Sequence, residues 1–153
     1  MIEIAGCVRD GGGALVPDAM IEIWQANAAG RYASADDARN DIPLDLHFIG
    51  FGRAATDKHG VYRFRTIRPG RVPGPGNLLQ APHLAFSVFA RGVIKCLVTR
   101  CYFADGEGND TDLVLNAVPE ARRDTLIAKR KNDGTSWLDI VLSGEGETVF
   151  FEL

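Results

Sequence analysis

Three histidines (His47, His59, His83) and three tyrosines (Tyr32, Tyr62, Tyr102) are the side chains of this chain that could hold a transition metal. Spacing is the first constraint on them. Side chains repeat on one face of a strand every second residue, so a strand that grips a metal through two imidazoles needs them two positions apart. Residues 81–86 read Ala-Pro-His-Leu-Ala-Phe. His83 stands alone, with Ala85 where a second imidazole would be. His59 precedes Gly60 in a turn and is expected in solvent. Tyr62 and Tyr102 fall inside strand-like runs, where half-buried packing with the hydroxyl at the edge is the expectation. Cys7, Cys96 and Cys101 form no CxxC pair and are expected to be reduced packing residues.

Other chemistries lack their signatures. There is no G-x-S-x-G, no Walker loop and no H-E-x-x-H. Gly74-x-Gly76 and Gly144-x-Gly146 are isolated fragments. Asp105–Asp110 lacks the glycine and the later glutamate of a calcium loop and reads as a solvated turn.

The elements that must position these residues are strands, because most periodic segments alternate at period two. Ile2–Val8 runs to a glycine-rich turn at 10–13. Ala19–Gln25 is β-branched and aromatic, and Val61–Arg65 alternates apolar and basic residues. Leu84–Ala90 and Lys95–Phe103 are two apolar strands, and Trp137–Leu142 with Thr148–Leu153 is expected to close the chain as a hairpin. One helix is expected, with Pro119 in its first turn, Leu126 and Ile127 inward and Lys129, Arg130 and Lys131 near its end. Residues 30–51 and 68–77 read as long loops, which in compact domains are usually functional. About seven strands with turns between them indicate an all-β sandwich or barrel.

At 153 residues the chain fits one domain, spanning 1–153. Seventeen Lys and Arg against twenty Asp and Glu give a formal charge of −3, too weak and mixed for a nucleic-acid partner. No apolar run is long enough to span a bilayer, and Met1-Ile2-Glu3-Ile4 is not the start of a signal peptide, so no membrane is expected and the cytoplasm is the expected location.

The ordered motifs Ile-Glu-Ile-Trp-Gln-Ala-Asn-Ala-Ala-Gly-Arg-Tyr (21–32), Phe-Gly-Arg-Ala-Ala-Thr-Asp (51–57) and Arg-Thr-Ile-Arg-Pro-Gly (65–70) resemble the intradiol ring-cleaving dioxygenases. Within that family, Ala81–His83, Phe89–Gly92, Leu126–Arg130 and Gly144–Phe151 are similar to the alpha chains of the protocatechuate 3,4-dioxygenase branch. The resemblance implies a β-sandwich whose iron-binding members hold one ferric ion through two tyrosines and two histidines. Ferric iron is a hard cation that phenolate suits and imidazole completes.

Carried over residue by residue, the resemblance puts the first tyrosine position at Asn40, counting back from Pro43-Leu44-Asp45, and the second at Val72, after Pro69-Gly70. The histidine pair falls at His83 and Ala85. Three of these four relict positions supply neither phenolate nor imidazole, so this chain is expected to hold no metal and no catalytic residue. The resemblance then implies an alpha subunit, inactive in isolation, paired in an oligomer with a beta chain of protocatechuate 3,4-dioxygenase that binds the Fe(III). The reaction inserts both atoms of dioxygen into protocatechuate, giving 3-carboxy-cis,cis-muconate. The substrate sits near the interface, and Arg91 of Phe89-Ala90-Arg91-Gly92 would bind its carboxylate through a two-pronged guanidinium contact. An unbroken strand from His83 would put Arg91 roughly 26 Å away, so Arg91 would act at an interface and not in the relict pocket. Beside the family's alpha chains, this one is expected to lack the segment before the first strand that contributes there to the active-site wall and to pairing. Two other functions remain open: a non-catalytic binding or assembly module, and a free-standing catechol-type dioxygenase in which His47 or Tyr32 completes an unusual ligand set.

Overall fold

The computed structural model describes residues 1–152, Asn77 by its backbone alone. Nine strands run β1 (Ile2–Arg9), β2 (Met20–Trp24), β3 (Phe51–Ala55), β4 (Val61–Thr66), β5 (His83–Phe89), β6 (Leu97–Phe103), β7 (Ile127–Arg130), β8 (Ser136–Trp137) and β9 (Ile140–Val141), with one α-helix, α1 (Leu113–Ala117). They form two layers of a sandwich. One is the antiparallel set β3-β2-β5-β6; the other places β4 antiparallel to β1, with β8 and β9 parallel to β1 on its other side.

Alternation decides which residues meet between the layers. Ile21, Ile23, Leu84, Phe86, Val88, Cys101 and Phe103 come from one layer, and Ile4, Val8, Tyr62, Phe64, Leu138 and Ile140 from the other. The rings of Tyr62 and Phe86 meet edge to face at 5.8 Å across the gap. A smaller core of Ala81, Tyr102, Leu115, Val118 and Leu126 lies apart from this one, where α1 and a 3-10 segment (Glu120–Leu126) cover β6. β7 serves both layers: Ile127 and Ala128 pair with β6, and Lys129 and Arg130 pair with β8.

Five expectations need correction. The helix lies at Leu113–Ala117, and the segment expected to be helical is a 3-10 turn that passes into β7. Ile127 and Ala128 pair with the free edge of β6, which holds that end of the segment extended. Residues 136–142 do not pair with the C-terminal run as a strand hairpin: β8 and β9 add to β1, while Phe151 bridges to Val98 of β6. Leu153, the end of the expected hairpin, lies outside the described residues. Tyr62 and Tyr102 are fully buried, and their hydroxyls donate inward, to the Leu138 carbonyl and to Asp112. Cys101 packs in the core, but Cys96 lies in the exposed turn before β6. β5 ends at Phe89, and Gly92 turns the chain with φ of 81°, so the strand does not run unbroken to Arg91.

Candidate functional site

Because Leu84, Phe86 and Val88 fill the core, His83 and Ala85 point to the opposite face of β5. Cross-strand register sets their neighbours. Ala85 lies between Trp24 of β2 and Arg100 of β6, and His83 lies opposite Tyr102. The two long loops close over this face. Tyr32 stacks on Trp24 with ring centroids 5.7 Å apart and planes 13° from parallel. Asp37 and Arg39 form a two-pronged ion pair, with N···O distances of 2.8 and 2.6 Å. Asn27 anchors the first loop, accepting from the amides of Ala29 and Arg31 and donating to the Pro43 carbonyl. Gly30 lets the second loop approach: its φ is 88°, and a Cβ there would meet the Arg71 carbonyl oxygen at 2.1 Å. Between the loops lies a cleft of about 520 Å³ whose walls include Tyr32, Asp37, Arg39, Val72 and Gln80.

Burial, with the Arg100 guanidinium nearby, pushes the His83 imidazole down to about 4, so it is neutral near pH 7. Its Nδ1 lies 2.8 Å from the Ala81 carbonyl oxygen; a proton donated there leaves the lone pair on Nε2. Burial pushes the Tyr102 phenol up to about 12. That hydroxyl donates to Asp112 at 3.2 Å and accepts from Arg100 at 3.1 Å, and Arg100 also donates to Gln80 Oε1 at 2.8 Å. Burial raises the Tyr32 phenol as well, and the Arg39 guanidinium holds the Asp37 carboxyl well below the usual carboxylate range.

The sequence-derived positions are only partly brought together. His83 and Ala85 share one face, and Val72, buried, lines the cleft above. Asn40 follows Arg39 and is exposed. His47 and His59 are exposed in loops. Among the described residues, no three His, Cys, Asp or Glu side chains are placed to share a metal ion. The donor set at the relict positions is one imidazole and one exposed amide beside two side chains with no donor atom. It does not fit a ferric ion that needs two phenolates and two imidazoles. Arg91 sits past the far end of β5, 87% exposed, with Nη2 2.7 Å from Asp18. Sequence reasoning missed Arg100, Gln80 and Asp112. The only signal that could have found them is register, which places Arg100 beside Ala85 once β5 and β6 are paired.

Comparison with known proteins supplies the family. The chain's residues 1–144 match the family model described as Dioxygenase. Over 157 residues the chain is 45% identical to the protocatechuate 3,4-dioxygenase alpha chain of Pseudomonas putida, covering 99% of this chain and 75% of that one. It is 40% identical over 156 residues to the protocatechuate 3,4-dioxygenase beta chain of Burkholderia cepacia, covering 96% of this chain and 66% of that one. The chain thus spans two thirds to three quarters of the length of these relatives. The crystal structure of chlorocatechol 1,2-dioxygenase from Pseudomonas putida superposes with a TM-score of 0.66 at 27% identity, over 92% of this chain and 58% of that one. With the family model matched over most of its length, relatives of both chain types and a shared fold, the chain belongs to the intradiol ring-cleavage dioxygenase family.

Proposed function

We propose that this chain, as one β-sandwich domain over residues 1–153, is the alpha, non-iron-binding subunit of a protocatechuate 3,4-dioxygenase. It pairs with a beta chain that carries the Fe(III), and the pair cleaves protocatechuate to 3-carboxy-cis,cis-muconate in the cytoplasm. The observation that carries the reading is the donor set: of four positions where iron-binding members place ligands, this chain keeps one imidazole, with Val72 and Ala85 unable to donate. When bound by the partner, the iron would supply the activation of the catechol toward dioxygen. No helix among the described residues is long and apolar enough to cross a membrane.

The role proposed for this chain is substrate binding through Arg91. Arg91 is exposed and lies at the end of β5 away from His83, within reach of a substrate carboxylate presented by another chain. Its ion pair with Asp18 is exposed and weak enough to exchange for a carboxylate of the substrate. Co-expression with a beta-type chain tests the reading. A stable complex should form with iron on the beta chain, and Arg91→Ala should raise KM for protocatechuate by roughly tenfold or more, with iron content unchanged. Absence of a complex would leave the assembly-module reading. An unchanged KM would remove Arg91 from substrate binding, and stoichiometric iron on the isolated chain would point to the free-standing enzyme.

A further inference from the structure

The face of β5 that carries His83 and Ala85 has a cation beside it, below the cleft that Gln80 and Val72 line. Arg100 is the direct cross-strand neighbour of Ala85. The guanidinium is fixed from two directions, donating through Nη1 to Gln80 Oε1 at 2.8 Å and to the Tyr102 hydroxyl at 3.1 Å. Both direct partners are neutral, and at His83 the opposing effect of the Asp112 carboxylate behind Tyr102 is smaller than that of Arg100. Behind Tyr102 stands Asp112, fully buried, accepting from the amides of Ala81 at 2.8 Å and Leu115 at 2.9 Å. The Ala81 amide and carbonyl thus join the two sides of the pocket, since the carbonyl lies 2.8 Å from His83 Nδ1. Arg100 holds both the hydroxyl of Tyr102, whose ring lies against that of His83 with centroids 5.4 Å apart, and the amide oxygen of Gln80.

We infer that Arg100 is a built-in cation that closes this pocket to metal ions, by repulsion and by tying up the oxygens that could assist His83. The loss of three ligands and the presence of a fixed positive charge are then two separate barriers to a metal, and restoring one ligand alone does not lower the second. The inference rests on the reading that the family's metal pocket lies over His83 and Ala85. It requires no partner chain, so its failure would be separate from a failure of complex formation.

The test is titration of the isolated full chain with Zn(II) by calorimetry and with Co(II) by visible absorption, each variant first checked for native circular dichroism. A85H supplies two imidazoles on one face of β5. Alone it should bind no more tightly than the unmodified chain, whereas A85H/R100Q should bind about tenfold tighter or better. A85H/R100K, which keeps the charge, should behave as A85H does. A85H/R100M carries the same expectation as the glutamine pair if that variant does not fold. Binding by A85H equal to that of the double variant, binding restored equally by lysine, or no gain in either uncharged variant would each overturn the assignment.

Discussion

At the residue scale, burial at the candidate site sets the charge state of His83. Its ordinary value is 6.5, and in the fold it is pushed down to about 4, first by burial and then by Arg100. Between those values the unfolded chain binds a proton that the native chain does not. The contribution to stability is therefore complete above pH 6.5 and is lost as pH falls to 4, amounting to on the order of 3 kcal/mol. Urea denaturation between pH 7 and 4 should show this decline, and His83→Gln should flatten it. Tyr62 offers a second check. Its buried hydroxyl serves the Leu138 carbonyl, and Tyr62→Phe leaves that carbonyl without its partner, at a cost of roughly 1–3 kcal/mol. The single histidine and the alanine two places on were legible in the sequence because a strand's face is fixed by period two. Arg100 was not, because its place beside Ala85 depends on the register of two strands, and the turn at 90–96 carries no motif that sets it.

At the element scale, the chain order of strands was read well where alternation was strong, as in β2, β4 and β5. It failed where pairing is non-local. Residues 118–131 carry a proline start, inward apolar residues and a basic end, all marks of a helix, yet Ile127 and Ala128 lie against β6 and extend the sheet. The segment at 136–142 adds to β1 in parallel, and parallel pairing leaves no turn signature in the sequence. This packing makes a prediction about Gly6. Any Cβ there would lie 1.8 Å from the Leu138 carbonyl oxygen, so Gly6→Ala must push β1 off the segment joining β8 to β9. The expected loss exceeds about 4 kcal/mol and should show as insoluble protein or a much lower urea midpoint. Asp112 acts similarly for α1. It caps the helix at Leu115, holds the start of β5 through the Ala81 amide and receives the Tyr102 hydroxyl. Asp112→Ala should cost about 3 kcal/mol or more and lower the unfolding midpoint, with Asp112→Asn recovering part of the loss.

At the scale of the whole molecule, the two ends of β5 face different tasks. His83, at the start of the strand, lies buried beneath two loops, while Arg91, past its other end, reaches into solvent. The strand thus separates an imidazole covered by its own chain from an exposed guanidinium. β7 has a bearing on how such a body comes apart. Two of its residues belong to one layer and the next two to the other, so four consecutive residues stitch the sandwich along one edge. Neither layer can peel away without tearing the same short strand from its second partner. Heating should therefore melt both layers in one calorimetric step, with equal calorimetric and van't Hoff enthalpies. In hydrogen exchange the amides of Ala128 and Lys129 should open only when the whole molecule does.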